Sequence, residues 1–255
     1  VASSVLLQGK NVLSITLEMA EEKIAERIDA NLLNVNIQNI VDLPKPMFDS
    51  KVNNLTKKTQ GQLIIKEYPT AAAHSGHFKA LLNELALKKS FRPDIIFIDY
   101  LNICSSSRYR AGSNVNSYSF IKAIAEELRG LAVESNLPIV SATQTTRSGY
   151  GSSDVDLTDT SESFGLPATA DLMFALISTE ELEGLNQIMV KQLKNRYNDP
   201  TIFKRFVVGI DRAKMRLYDC EQNVGGDLID SGQQTETLQE GAKNMKNKFA
   251  KLQFT

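Results

Sequence analysis

Pro93-Asp94-Ile95-Ile96-Phe97-Ile98-Asp99-Tyr100-Leu101 is the stretch whose reading decides the fold. Four consecutive apolar residues stop at an acid. That is the pattern of a parallel strand buried on both faces, which delivers a carboxylate to the C-terminal edge of its sheet. From that position Asp99 can hold the water shell of Mg²⁺ beside a nucleotide's phosphates, the Walker B role, or it can cap the turn that follows the strand. Both readings stay open on this stretch alone.

Working outward, a helix over 78–87 with Phe78, Leu81, Leu82 and Leu85 on one face precedes this strand, and a short strand over 63–68 precedes that helix. A strong amphipathic helix follows over 117–134: Ile121, Ile124, Leu128, Leu131 and Ala132 line one side, while Lys122, Glu126, Glu127 and Arg129 line the other. The next buried strand is predicted over 138–143 and ends at Gln144, whose neutral amide can donate to a phosphate without adding charge. Strands alternating with helices in this way predict βαβ units and an α/β fold with a mainly parallel sheet flanked by helices.

The N-terminal residues repeat the theme. Residues 1–8 read as the end of a helix closed by Gly9-Lys10, 11–17 as a strand, and Met19, Ile24, Ala25, Ile28 and Leu32 as the apolar face of a helix. Glu18 therefore leaves a strand as Asp99 does, or it serves as an acid at the positive end of the helix that follows. Residues 34–62 are polar and interrupted by Pro44 and Pro46, which predicts a loop with a short helix. His74 and His77 lie in small-residue loop sequence with no third ligand near them, so a metal is not expected there.

Past Gln144, residues 145–159 form a long polar loop carrying Arg147, and 172–177 and 188–193 are apolar strands. The second of these ends in Lys194-Asn195-Arg196-Tyr197-Asn198-Asp199-Pro200, read as a turn presenting two cations. A hairpin is predicted from 203–210 and 215–218 around Asp211-Arg212-Ala213-Lys214. Residues 1–220 are read as the main domain. Residues 221–255 are expected to be a disordered polar tail with a short lysine-rich helix bearing Met245, Phe249 and Leu252.

Composition narrows the function. The chain has 255 residues, 42% of them apolar, and a net charge of −1. It can bury a large core, and any nucleic-acid contact should be confined to a few loops and not spread over a basic face. No run of about 18 apolar residues exists, so no membrane span is expected. Cys104 and Cys220 are too few for a disulfide framework or a zinc site, and a reduced cytoplasm is the simplest setting.

Several separated motifs together resemble the DnaB-type replicative DNA helicases: Leu17-Glu18-Met19, Ile98-Asp99-Tyr100-Leu101, the run Lys122 to Ala132, Gln144 with Arg147, Glu162 with Asp171, and Lys194-Asn195-Arg196. Within that family, stretches such as Arg27-Ile28-Asp29-Ala30-Asn31 and Gly165-Leu166-Pro167-Ala168-Thr169-Ala170-Asp171 are most similar to the helicases of T4-like phages. The resemblance spans residues 5 to 220 and implies a RecA-like P-loop NTPase core. It further implies a homo-hexameric ring around single-stranded DNA, driven by hydrolysis of ATP or another NTP with Mg²⁺, and primase and a helicase loader as partners.

Carried over by position, Glu18 is the catalytic glutamate that orients or deprotonates the attacking water, and Asp99 the magnesium-shell aspartate. Gln144 links the terminal phosphate to the DNA loops, and Lys194 and Arg196 reach into a neighbouring subunit's site. Glu162 and Phe164 fall in the DNA-loop motif. Ser161 stands where the family has arginine and Phe164 where it has glycine, so Arg108, Arg110 and Arg147 are the candidate compensating cations.

None of the fourteen glycines begins G-x-x-x-x-G-K-[ST]. The resemblance places Val1 inside the helix that follows the family's phosphate loop, so the expectation is a chain cut just downstream of that loop, without the family's primase-interacting domain. On that reading the chain itself should bind nucleotide weakly. Two further functions stay open: a non-catalytic RecA-like interaction subunit, and a RecA-type recombinase.

Overall fold

The computed structural model describes residues 1–109, 114–146, 155–159 and 165–221. Four parallel strands form the first sheet, in the order β2-β1-β3-β4. They are β1 (Val12–Thr16), β2 (Leu63–Glu67), β3 (Ile95–Asp99) and β4 (Ile139–Ser141). A short α1 (Ala2–Leu7) comes first. Helices α2 (Glu21–Leu32) and α3 (Lys45–Thr56) connect β1 to β2, α4 (Ser75–Lys89) connects β2 to β3, and α5 (Ser117–Ser135) connects β3 to β4.

The core follows from the two-residue period of the strands. Leu13 and Ile15 of β1 pair in register with Ile96 and Ile98 of β3, and all four join one buried cluster with Phe78, Leu81 and Leu85 of α4 and Ile121, Ile124 and Leu128 of α5. The alternate residues Val12, Ile95 and Phe97 face the other way, onto Leu6 of α1 and Ile24 and Ile28 of α2. Helices thus cover both faces of β1 and β3, which is why Ile95-Ile96-Phe97-Ile98 reads as an unbroken apolar run. Each such side chain removed from water stabilises the fold by about 1.5–3 kcal/mol.

Several predicted elements change at their ends. Pro44 and Pro46 start a helix and do not merely break the chain: Pro44 is the N-cap of α3 and Pro46 lies in its first turn, where a missing N–H costs nothing. Gly9, at φ +77°, lets the chain turn off the end of α1 as predicted. The strand predicted over 138–143 as buried covers only Ile139–Ser141, and Val140 is 41% exposed, because β4 pairs on one side only and forms the sheet's edge.

A second four-stranded sheet is antiparallel, in the order β5-β6-β7-β8. Its strands are β5 (Leu172–Ile177), β6 (Gln187–Asn195), β7 (Arg205–Asp211) and β8 (Arg216–Asp219), preceded by α6 (Gly165–Thr169) and interrupted by α7 (Glu180–Gly184). The predicted hairpin is β7 and β8. Strand β6 runs through Asn195, so Lys194 sits within a strand and not on the turn expected after residue 193; only Arg196 lies beyond it. Hydrogen bonds from Asn31 Nδ2 to the Met215 carbonyl (2.7 Å) and from the Ile37 N–H to the Ala213 carbonyl (2.8 Å) tie this sheet's far hairpin to the first half. Arg110, Arg147, Ser161, Glu162, Phe164 and the Met245, Phe249, Leu252 stripe lie outside the described residues.

Candidate functional site

In β1 and β3, Thr16 pairs with Asp99 across the parallel ladder, so the strand exits carrying Glu18 and Asp99 stand side by side at one sheet edge. The chain beyond Thr16 is fixed at several points. Thr16 is fully buried, and its hydroxyl accepts from the Met19 N–H (3.0 Å) and donates to the Met19 carbonyl (2.9 Å). The Leu17 N–H donates to the Asp99 carbonyl (2.9 Å), and Thr70 Oγ1 donates to the Leu17 carbonyl (2.7 Å). Glu18 is thereby held out in solvent between two pinned residues. Among the described residues, neither the Glu18 nor the Asp99 carboxylate has a hydrogen-bond or ion-pair partner. Two carboxylates left without partners on a rigid edge are available to a water or a cation.

Gln144 joins the same edge. Ser141 Oγ donates to the Ile98 carbonyl (2.8 Å) and the Leu101 N–H to the Ala142 carbonyl (3.3 Å), which holds the exits of β3 and β4 together. Gln144 Nε2 then donates to the Tyr100 hydroxyl (3.0 Å), one residue past Asp99. Glu18, Asp99 and Gln144, all three singled out in the sequence, are therefore brought to one edge, while Thr16 and Tyr100, which support them, were not singled out. A threonine ending a buried strand was the only available sign for Thr16.

Beyond β3 the chain is anchored to α5. Glu127 accepts from Ser106 Oγ (2.5 Å), the Ser107 N–H (3.0 Å to the nearer oxygen) and Ser75 Oγ (3.1 Å). Arg108, a predicted DNA cation, is exposed and pairs with Glu126, so any phosphate it contacts must compete with that carboxylate. Burial by itself would raise the Glu127 carboxyl, but the hydrogen bonds from Ser106, Ser107 and Ser75 outweigh it and hold the group below the usual carboxylate range. A depressed folded value means that the stabilisation is present above the ordinary glutamate value of about 4.3 and is lost as pH falls through the folded value. Glu127→Gln should cost about 1–2 kcal/mol at pH 7 and progressively less as pH falls below the ordinary glutamate value, measured by urea unfolding across that range.

The two histidines have a structural task. His74 is the N-cap of α4, its Nδ1 accepting from the Gly76 N–H (3.0 Å), and His77 Nδ1 accepts from the His74 N–H (3.2 Å), a reciprocal capping box built from two imidazoles. Burial, then the neighbouring His77, lowers the His74 value against the opposing pull of Glu127, which suits a neutral ring acting as acceptor. Cys104 is buried, its thiol pushed up to about 12 by desolvation, and acts as a packed apolar group.

The predicted cation pair gathers at a different place. Lys194 Nζ donates to the carbonyls of Pro167 (2.5 Å) and Ala168 (3.2 Å) at the end of α6. Arg196 Nη2 donates to the Ala168 carbonyl (2.8 Å), and its Nε lies 3.1 Å from Asp171 Oδ1. That approach is too bent for a hydrogen bond, so the contact is an ion pair only, and Oδ1 is left buried without a donor. Asp171 Oδ2 pairs with Arg129 Nη1 of α5 at 2.5 Å, and the same nitrogen donates to the Thr169 carbonyl (3.1 Å). Asp171 and Arg129 carry no role in the sequence reading, since residues 129, 171 and 196 meet only in three dimensions.

Among the described residues no group of three or more His, Cys, Asp or Glu side chains could hold a metal, and no helix is long and apolar enough to cross a membrane. Residues 1–205 match the family model of the DnaB-like helicase C terminal domain. The chain is 46% identical over 225 residues to the DnaB-like replicative helicase of Enterobacteria phage T4, covering 87% of this chain and 47% of that protein. It is 31% identical over 205 residues to a probable plasmid replicative DNA helicase of Chlamydia psittaci, 76% of this chain and 42% of that one. The chain thus spans about half the length of the curated relatives it matches. Two solved structures share the fold at 17% identity and a TM-score of 0.69, each over 86% of this chain. One is a DnaB-like replicative helicase described with its interactions with primase (53% of that chain), and the other is a separately solved ATPase domain (78% of that chain). With a RecA-like parallel sheet and this extent of match, the chain belongs to the DnaB-like helicase C-terminal domain family.

Proposed function

We propose that the chain is the motor domain of a hexameric replicative helicase that couples NTP hydrolysis to movement along single-stranded DNA and to duplex unwinding. The observation that carries this reading is the partner-free pair Glu18 and Asp99 on adjacent parallel strand exits, with Gln144 leaving the next strand. Glu18, exposed and held on both sides, orients or deprotonates the water that attacks the terminal phosphate. Gln144 senses that phosphate and passes its state through Tyr100 toward the loop after β3. The half-exposed Asp99 carboxylate is a hard oxygen donor with no ion pair among the described residues, which fits Mg²⁺ held through its waters. Asp99 would hold Mg²⁺ there, and the ion would supply neutralisation of charge on the phosphates.

Lys194 and Arg196 complete the site of a neighbouring subunit, and their place at the end of β6, in the second sheet and not on the edge that carries Glu18 and Asp99, favours action across a boundary. Arg108, Arg110, Arg147, Glu162 and Phe164 are the proposed DNA contacts, few in number as the charge of −1 requires. Single-stranded DNA, further copies of the chain, primase and a loader are the proposed partners, and the cytoplasm the place of action.

The test uses a chimera in which this chain replaces the matching 47% of the T4 relative, so that a phosphate loop is supplied. The chimera should hydrolyse ATP faster with oligo-dT present, and Glu18→Gln should lower turnover by about 10²- to 10⁴-fold, the usual span for a general base. ATPase activity that ignores both DNA and Glu18→Gln would remove the motor reading.

A further inference from the structure

The cation pair is not held by its own strand alone. Arg129 and Arg196 converge on the Asp171 carboxylate, Lys194 and Arg196 on the last carbonyls of α6, and each cation comes from a different place: from α5, just past the end of β6, and within β6. Without the carboxylate they would repel one another across a half-buried gap. The backbone adds a further tie, the Arg196 N–H donating to the Asp171 carbonyl (2.9 Å). Long cationic side chains are costly to order when a ligand arrives, so a site that orders them beforehand gains in the transition state what it has already spent in folding.

We propose that Asp171, braced by Arg129, is the positioning residue of Arg196 and fixes the direction in which its guanidinium leaves the end of β6, beside the Lys194 ammonium held on the α6 carbonyls. The role rests on the reading above that the pair serves phosphoryl chemistry. Arg129 engages one carboxylate oxygen and Arg196 the other, so that the orientation of the carboxyl plane, and with it the place of the guanidinium, is set from α5. The fold carries two consequences of opposite sign. Burial and the neighbouring Arg196 and Arg129 pull the Lys194 ammonium below its ordinary value, while Asp171 pulls it up.

Competitive acetylation of Lys194 in the full chain, followed by mass spectrometry against pH with exposed Lys88 as internal reference, separates the two. Asp171→Asn should lower the Lys194 midpoint and so speed its labelling at pH 8, and Arg129→Gln should shift the midpoint upward. A merely structural loss would expose Lys194 in both variants and move them the same way; that result, or no change in Asp171→Asn, overturns the proposal. If Asp171→Asn fails to fold by circular dichroism, Asp171→Glu, which keeps the charge but moves the carboxylate, decides by the kcat of the chimeric rings described next: an unchanged kcat overturns the proposal.

In the chimeric rings, Asp171→Asn should reduce kcat about tenfold or more while KM for ATP stays within about twofold, since misplacement by an ångström is costly to turnover and not to ground-state binding. Arg196→Ala, run alongside, keeps the two ideas apart. If Arg196→Ala leaves turnover intact, the finger reading fails whatever Asp171→Asn does. If Arg196→Ala abolishes turnover and Asp171→Asn leaves kcat unchanged, the positioning role fails by itself.

Discussion

Chimeric rings built wholly from Arg196→Ala subunits should lose about 10³- to 10⁵-fold in ATP turnover, the range in which an arginine finger contributes to phosphoryl transfer. Charge and place both lead to this expectation. Glu18 and Asp99 already occupy the edge of the parallel sheet, and a cation pair beside them would neutralise the carboxylate proposed to accept a proton. Lys194 and Arg196 instead leave the second sheet at the end of β6, their heads against α6. The Arg196 side chain keeps 39% of its surface exposed, enough to be offered to a neighbouring subunit.

Mixing Arg196→Ala subunits with Glu18→Gln subunits, each nearly inactive alone, distinguishes action in trans from action in cis. In mixed rings some interfaces bring an intact Glu18 opposite an intact Arg196, and activity should partly return at those interfaces. A ring shown by native mass spectrometry to be mixed, yet with no recovery, would show that both residues are needed within one subunit.

Where the sequence could be read and where it could not has a physical basis. Asp99 was legible because β3 is covered by helices on both sides, so its apolar run cannot be confused with a half-buried strand and its terminal acid stands out. Glu18 and Gln144 followed by the same logic at neighbouring strand exits. Lys194 was misplaced by one element because β6 continues as an antiparallel strand into polar residues, and only pairing with β5, Lys194 opposite Met173, keeps it extended. The histidine pair looked like an incomplete metal site, and turned out to cap a helix, since an imidazole nitrogen can accept from a backbone N–H as readily as it can ligate a metal. Glu127 and Asp171 lie in motifs that carry the family resemblance, but nothing in their spacing shows what either one holds. Each gains its meaning from groups tens of residues away, Ser75 and Ser106 for the one, Arg129 and Arg196 for the other.

Phe78→Ala should destabilise the chain by about 3–5 kcal/mol, read as a lower urea midpoint with an unchanged slope. The ring has no solvent exposure, sits in the cluster with Ile96 and Ile98 of β3, and meets Tyr68 edge to face at 5.8 Å between centroids. Truncation removes its transfer free energy and leaves a cavity that cannot collapse, because α4 is fixed at its start by the His74 cap and packs against α5 on its other side. A natural domain has only about 5–15 kcal/mol in hand, so this one ring accounts for a large part of it. Leu87→Ala, further along the same helix but 85% exposed, should change stability by less than about 0.5 kcal/mol. The contrast tests whether α4 is held by the face that the sequence pattern assigned to it: if the two substitutions cost the same, Phe78 is not packed beneath β3, and the strand that presents Asp99 has lost the support on which the site's geometry depends.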